Sequence, residues 1–148
     1  MEATVNALVF RAVGIPKGQP RAKACVRGRH AGVYDPGTAN DWKTIVRNAA
    51  REKWDGVPFD VPVSVRISVF FPRPKYHFKR NGELKEGAPI WHASKPDRDN
   101  IDKAILDALV NVGVLKDDCI AAGGFVHKLY HAPGELPGAW IEIDTLGR

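Results

Sequence analysis

From Val61 to Phe71 the chain reads VPVSVRISVFF: Val61, Val63, Val65, Ile67 and Val69 are apolar, and Ser64, Arg66 and Ser68 alternate with them. A period of two is that of a half-buried β-strand. Two other segments carry the helical period instead. Thr38 can cap a helix to about Trp54, in which Trp42, Ile45, Val46, Ala49 and Ala50 recur on one face before Gly56 and Pro58 stop it. Asp99 to Asn111 repeats this with Ile101, Ala104, Ile105, Ala108, Leu109 and then Val112, ending near Gly113.

Three more strands are expected, at Val5 to Val13, at roughly Ile120 to Tyr130, and at Ala139 to Asp144 after a turn around Pro133 to Pro137. The order is β-α-β-α-β-β, which predicts an α+β fold with a mixed β-sheet and two helices. With 148 residues the chain has material for one hydrophobic core, so a single domain over residues 1–148 is expected. Two stretches stand outside this plan. PKGQPRAKACVRGRHAGVYDPG, from Pro16, reads as a loop or poorly buried extension. Pro72 to Pro89 reads as a long loop or short hairpin around Asn81-Gly82, and a loop of that length is more often functional than idle.

Hydrophobic residues at 44% and charged ones at 26% exclude a disordered tail. Apolar runs are broken well before the roughly 20 residues that span a bilayer. The start, MEATVNALVFRAV, lacks the pattern of a secretion signal, so a cytoplasmic protein with no membrane partner is expected. Cys25 and Cys119 are too few for a disulfide framework or a cysteine metal site.

The net charge is +5, and its distribution says more than its size. Between Ala3 and Tyr34 there is no acid, while Arg11, Lys17, Arg21, Lys23, Arg27 and Arg29 are basic; Asp97 to Asp118 holds six Asp against Arg98, Lys103 and Lys116. Cationic surface suits a polyanion. Carboxylates concentrated in one stretch of a basic chain suit a metal ion, because several anions at one point repel unless a cation joins them.

Pro96 places Asp97 and Asp99 at or just before the helix start, where an extended backbone would point both to one side. Asp117 and Asp118 follow the helix, and a reversal after Gly113 can carry them back toward it. Hard oxygen ligands select Mg²⁺ or Mn²⁺, and such a site hydrolyses phosphodiesters. Lys103, one turn after Asp99, is placed to stabilise charge growing on a phosphate. The plain alternatives are a helix cap for Asp99 and Asp102, a Lys103–Asp99 pair, and an exposed turn for Asp117-Asp118.

The segment Lys95 to Ile120 resembles the RusA family of Holliday-junction resolvases of bacteria and their prophages. The pattern is K-P-D-x-D-N-x-x-K-A-x-x-D-A-L followed by D-D, carried by Asp97, Asp99, Asn100, Lys103, Asp107, Ala108, Leu109, Asp117 and Asp118. The earlier P-K-G-x-P-R turn, Pro16 to Arg21, also fits. The resemblance implies a homodimeric, Mg²⁺-dependent endonuclease, with Mn²⁺ as a substitute, that nicks four-way or branched DNA in recombination and repair. It implies that Asp97, Asp99 and Asp118 bind metal, with Asp117 as their neighbour, and that Lys103 is the catalytic lysine. Arg98 departs from the family's usual apolar residue there, and Cys119 to Gly124 from a more polar strand start.

Lys17, Arg21, Lys23, Arg73, Lys75 and Lys95 are candidate phosphate contacts. Tyr76 and Phe78 can stack on unpaired bases or simply pack. His92 can assist a phosphate or be an ordinary loop residue, and His127 with His131 lacks a shared helix face for zinc. The rival functions are a nuclease of other branched or duplex DNA, and a non-catalytic DNA-binding protein.

Overall fold

A computed structural model describes residues 8–28 and 30–148. Its elements are β1 (Leu8–Val13), β2 (Lys23–Arg27), β3 (His30–Tyr34), α1 (Asn40–Lys53), β4 (Val63–Phe71), α2 (Arg98–Asn111), β5 (Ala121–Tyr130) and β6 (Gly138–Thr145). The fold is α+β, with one mixed four-stranded sheet in the order β1-β6-β4-β5 and two α-helices. β4 lies inside the sheet, antiparallel to β6 and parallel to β5. Its alternation has a direct cause. Val63, Val65, Ile67, Val69 and Phe71 are buried under the helices, while Arg66 and Ser68 look out from the opposite face.

α1 contributes Trp42, Val46 and Ala50 to this core, and α2 contributes Ile101, Ala104, Ile105, Ala108 and Leu109. Each large aliphatic side chain removed from water is worth about 1.5–3 kcal/mol, so the shared layer beneath the helices is what fixes their placement. Parallel strands need a crossover, and α2 lies in the connection from β4 to β5. It ends where Gly113 takes φ +86, with the Val114 N–H donating to the Leu109 carbonyl at 2.9 Å. The reversed chain is then held by Phe59, whose N–H donates to Val114 O at 2.8 Å and whose carbonyl accepts from Lys116 N at 3.0 Å. No helix among the described residues is long and apolar enough to cross a membrane.

The structure refines several expectations. The expected start of the first strand, at 5–7, lies outside the described residues. The cationic stretch after Pro16 contains a hairpin, β2 with β3, turning at Gly28 with φ +62. Its pairing is carried by backbone, which is why few apolar anchors marked it. Thr38 does not cap α1: Ala39 holds that position without a side-chain bond, and Asp35 Oδ1 accepts from Gly37 N at 2.7 Å in the turn before it. The 72–89 segment is a short hairpin, with a 3-10 turn at Lys75–His77 and a bridge between Phe78 and Leu84.

Candidate active site

α2 begins at Arg98, one residue earlier than its apolar stripe suggests, and this changes the disposition of the first two acids. Asp97 stands in the N-cap position with extended backbone, φ −69 and ψ 153, yet its side chain makes no capping bond. Asp99 is already in the first helical turn. The two acids thus stand on different backbone, one extended and one helical, and they line different hollows instead of sharing one extended strand. Asp97 lines a hollow of about 370 Å³ with Gly18, Gln19, Pro20, Lys95 and Asn100. Asp99 lines a neighbouring cleft of about 480 Å³ with Arg98, Asp102 and the first half of β5.

The reversal after Gly113 brings the second pair of acids back beside α2. Asp117 is extended, and its Oδ1 accepts from Cys119 N at 3.2 Å, capping a 3-10 turn at Asp118–Ile120. The plain turn reading is thus realised for Asp117. That backbone bond also holds its carboxyl below the usual range. Asp118 behaves oppositely: a hydrogen bond with the Asp117 carboxyl, burial and repulsion from Asp117 push it up, while Lys103 pulls it down and Asp107 adds to the rise. Asp107, Val110, Asn111, Asp117 and Asp118 line a third hollow of about 310 Å³.

Lys103 pairs with Asp107 at 3.7 Å. Asp107 is shared with Lys43 of α1 at 3.6 Å. Asp99 and Asp107 are separated by about 12 Å of helix at 1.5 Å per residue, so the acids are strung along one helix and its return. Among the described residues, no three His, Cys, Asp or Glu side chains stand close enough to hold one metal ion. The donor chemistry nevertheless fits a hard cation, since Asp107, Asp117 and Asp118 line one hollow and anions gathered there repel one another unless a cation joins them.

The P-K-G turn is bound to this helix. Gly18 lies where a Cβ would come 2.8 Å from Pro96 Cβ and 3.0 Å from Asn100 Cβ, and Gln19 N donates to Asn100 O at 2.8 Å. Exposed Lys17 and Arg21 therefore flank the hollow of Asp97, with exposed Lys95 opposite and exposed Lys23 at the start of β2. Lys75 is exposed on the hairpin. Arg73 is occupied differently from a free phosphate ligand: it donates to His131 O at 3.0 Å and to Pro89 O at 2.7 Å, and lies over the Tyr130 ring. It anchors the basic hairpin to the end of β5.

Sequence reasoning missed two residues. Lys128 donates to Ser94 O at 2.5 Å, is pushed down by burial, and has Asp97 as its nearby anion. It lies in register with Val69 on the helix-covered side of β5, a pairing that the sequence alone did not signal. Asp102, half-buried in the cleft of Asp99, is pushed up by that burial. The cleft floor depends on Gly124: at φ +122 it approaches β4 so closely that a Cβ would strike the Val65 carbonyl oxygen.

Residues 14–144 match the family model described as endodeoxyribonuclease RusA. The chain is also similar to a Bacillus subtilis (strain 168) protein, YqaN, described as uncharacterized. The two are 28% identical over 128 residues, which is 85% of this chain and 89% of that one.

Proposed function

Since the chain belongs to the RusA endodeoxyribonuclease family, we propose that it is a Mg²⁺-dependent, structure-selective endonuclease that resolves Holliday junctions. On this reading it acts in the cytoplasm, in DNA recombination and repair, as a homodimer whose paired sites suit a junction with near two-fold symmetry. The observation that carries the reading is the return of Asp117 and Asp118 to α2, where they share a hollow with Asp107, the partner of Lys103.

Asp118 with Asp117 on the return of the chain, and Asp97 and Asp99 from the start of α2, are the residues that would hold the cation once their side chains move together around it, since no three of them stand close enough without it. Bound there, Mg²⁺ or Mn²⁺ supplies Lewis acidity toward the phosphate and lowers the proton affinity of a water. Asp117, fixed by the Cys119 amide, orients its neighbour. The Lys103 side chain is 59% exposed, so its ammonium can leave Asp107 for a phosphate oxygen and offset the negative charge of the transition state. Lys17, Arg21, Lys23, Lys75 and Lys95 meet the DNA backbone and contribute salt-dependent affinity without sequence information.

The test is a synthetic four-way junction incubated with Mg²⁺ and then with chelator. Paired nicks are expected only with the metal. Asp97→Asn and Asp118→Asn should abolish them while junction binding stays equal or tightens, because each removes a negative charge facing DNA. If these variants cut normally, the site is elsewhere. A panel of flaps, forks and linear duplex distinguishes a resolvase from a nuclease of other DNA.

A further inference from the structure

The sheet face opposite the helices carries an aromatic row that the nuclease centre does not use. Phe125 pairs with Arg66 and His127 with Ser68, so both rings project away from the core. Phe125 stacks on His127 with centroids 4.1 Å apart and planes at 20°, and Trp91 meets His127 edge-on at 5.4 Å. The rings are wet: Trp91 is 57% exposed and Phe125 is 41% exposed. They are also held in place. His92 N donates to Lys128 O and Tyr130 N to Ile90 O, each at 2.9 Å, stitching the backbone around Trp91 onto β5.

What stands at each end of the row identifies its ligand. At one end Phe125 belongs to the wall of the cleft that also contains Asp99 and the cation Arg98. At the other, Arg73 over Tyr130 anchors the hairpin that carries Lys75, Lys79, Arg80 and Lys85. At the cleft Arg98 stands beside the acids Asp99 and Asp102, and on the hairpin Lys75, Arg80 and Lys85 outnumber Glu83 and Glu86, with Lys79 paired to Glu83 at 3.9 Å. A row of exposed ring faces beside a surplus of cations matches a polynucleotide whose bases are unpaired, with phosphates meeting the hairpin and bases meeting the rings. A linear duplex hides its base faces and gains nothing from the rings.

We propose that Trp91, His127 and Phe125 form a stacking platform for unpaired bases of a DNA strand whose backbone enters the Asp99 cleft. The direction of that strand rests on the nuclease reading, whereas the stacking does not. The experiment measures the affinity of the full chain, in chelator, for a single-stranded oligothymidylate and for a blunt duplex, comparing wild type with Trp91→Leu and Phe125→Leu. Each variant should lose about 10-fold in single-strand affinity, keep its duplex affinity within about two-fold, and keep the salt dependence, which reports phosphate neutralisation. Unchanged melting temperatures establish that the variants are folded. Equal losses on both DNAs, or no loss on either, overturn the proposal. So does a Trp91→Leu variant that changes oligomeric state in sedimentation but not DNA affinity, since a second copy would then be what covers the row. Failure of the nuclease reading shows up separately, as absence of Mg²⁺-dependent junction cleavage.

Discussion

The Gln19 amide donates to the Asn100 carbonyl at 2.8 Å, so the cationic P-K-G turn and the first turn of α2 move as one piece. Gly18 permits this close approach, because any side chain there meets Pro96 and Asn100. Gly18→Leu should push the turn off the helix and carry Lys17 and Arg21 away from the hollow of Asp97. Junction affinity at fixed salt should drop, and the slope of log affinity against log salt should shrink by roughly 1–2, at about 0.9 for each phosphate no longer neutralised. Filter binding across a salt series checks it, and an unchanged slope would place the turn outside the DNA interface.

Lys103 separates a catalytic from a structural role. Its pair with Asp107 is exposed, 59% on the lysine side, and an exposed i, i+4 pair is worth only about 0.3–0.5 kcal/mol. Lys103→Met should therefore leave the unfolding midpoint nearly unchanged, while cleavage under single-turnover conditions falls by about 100-fold or more, the scale of losing one transition-state donor. A variant that loses stability and activity in step would make Lys103 a strut of α2.

The sequence made the framework legible because its main strand and helices carry their burial in their periods. Val65, Ile67 and Val69, and Ile101, Ile105 and Leu109, are read off as inward residues, and they are inward. What escaped was whatever depends on backbone or on a change of period. β2 and β3 are held by backbone pairing and have no apolar stripe to announce them. The α2 start at Arg98 leaves Asp97 on extended backbone and Asp99 in the first helical turn, so the two acids line neighbouring hollows. Lys128 escaped because its place beside Val69 is set by the β4–β5 register, which the period of one strand does not reveal.

Acidification should loosen the hairpin against β5. His77 is 3% exposed, and its Nδ1 lies 3.3 Å from Arg73 Nη1, which can only donate, so the ring is neutral. Burial first, and then Arg73 and Lys85, push His77 down; burial and then Lys128 push His92 down. As pH falls below about 6.5 the unfolded chain takes up protons that the folded chain refuses. Stability is thus fully present above that value and is lost as pH falls through the folded values. Urea unfolding between about pH 8 and pH 5 should show the decline, and His77→Phe should flatten part of it. A decline of the same steepness in both proteins would clear His77 of the effect.

Gly123 and Gly124 line the same cleft and should respond to alanine unequally. Gly124 has φ +122, a conformation almost confined to glycine, and its Cβ would collide with the Val65 carbonyl across the β4–β5 pairing. Strain of that kind costs about 1–3 kcal/mol before the collision is relieved. Relief requires β5 to move away from β4, and with it the cleft wall facing Asp99. Gly123 has no positive φ, and the nearest atom to its Cβ is Leu146 Cδ1 at 3.4 Å, an ordinary contact. Gly123→Ala should therefore stay within about 0.5 kcal/mol of wild type, whereas Gly124→Ala loses stability and junction cleavage together. Chemical denaturation of the two variants decides the matter: equal effects would mean that close approach of the two strands at Val65 is not what shapes the cleft.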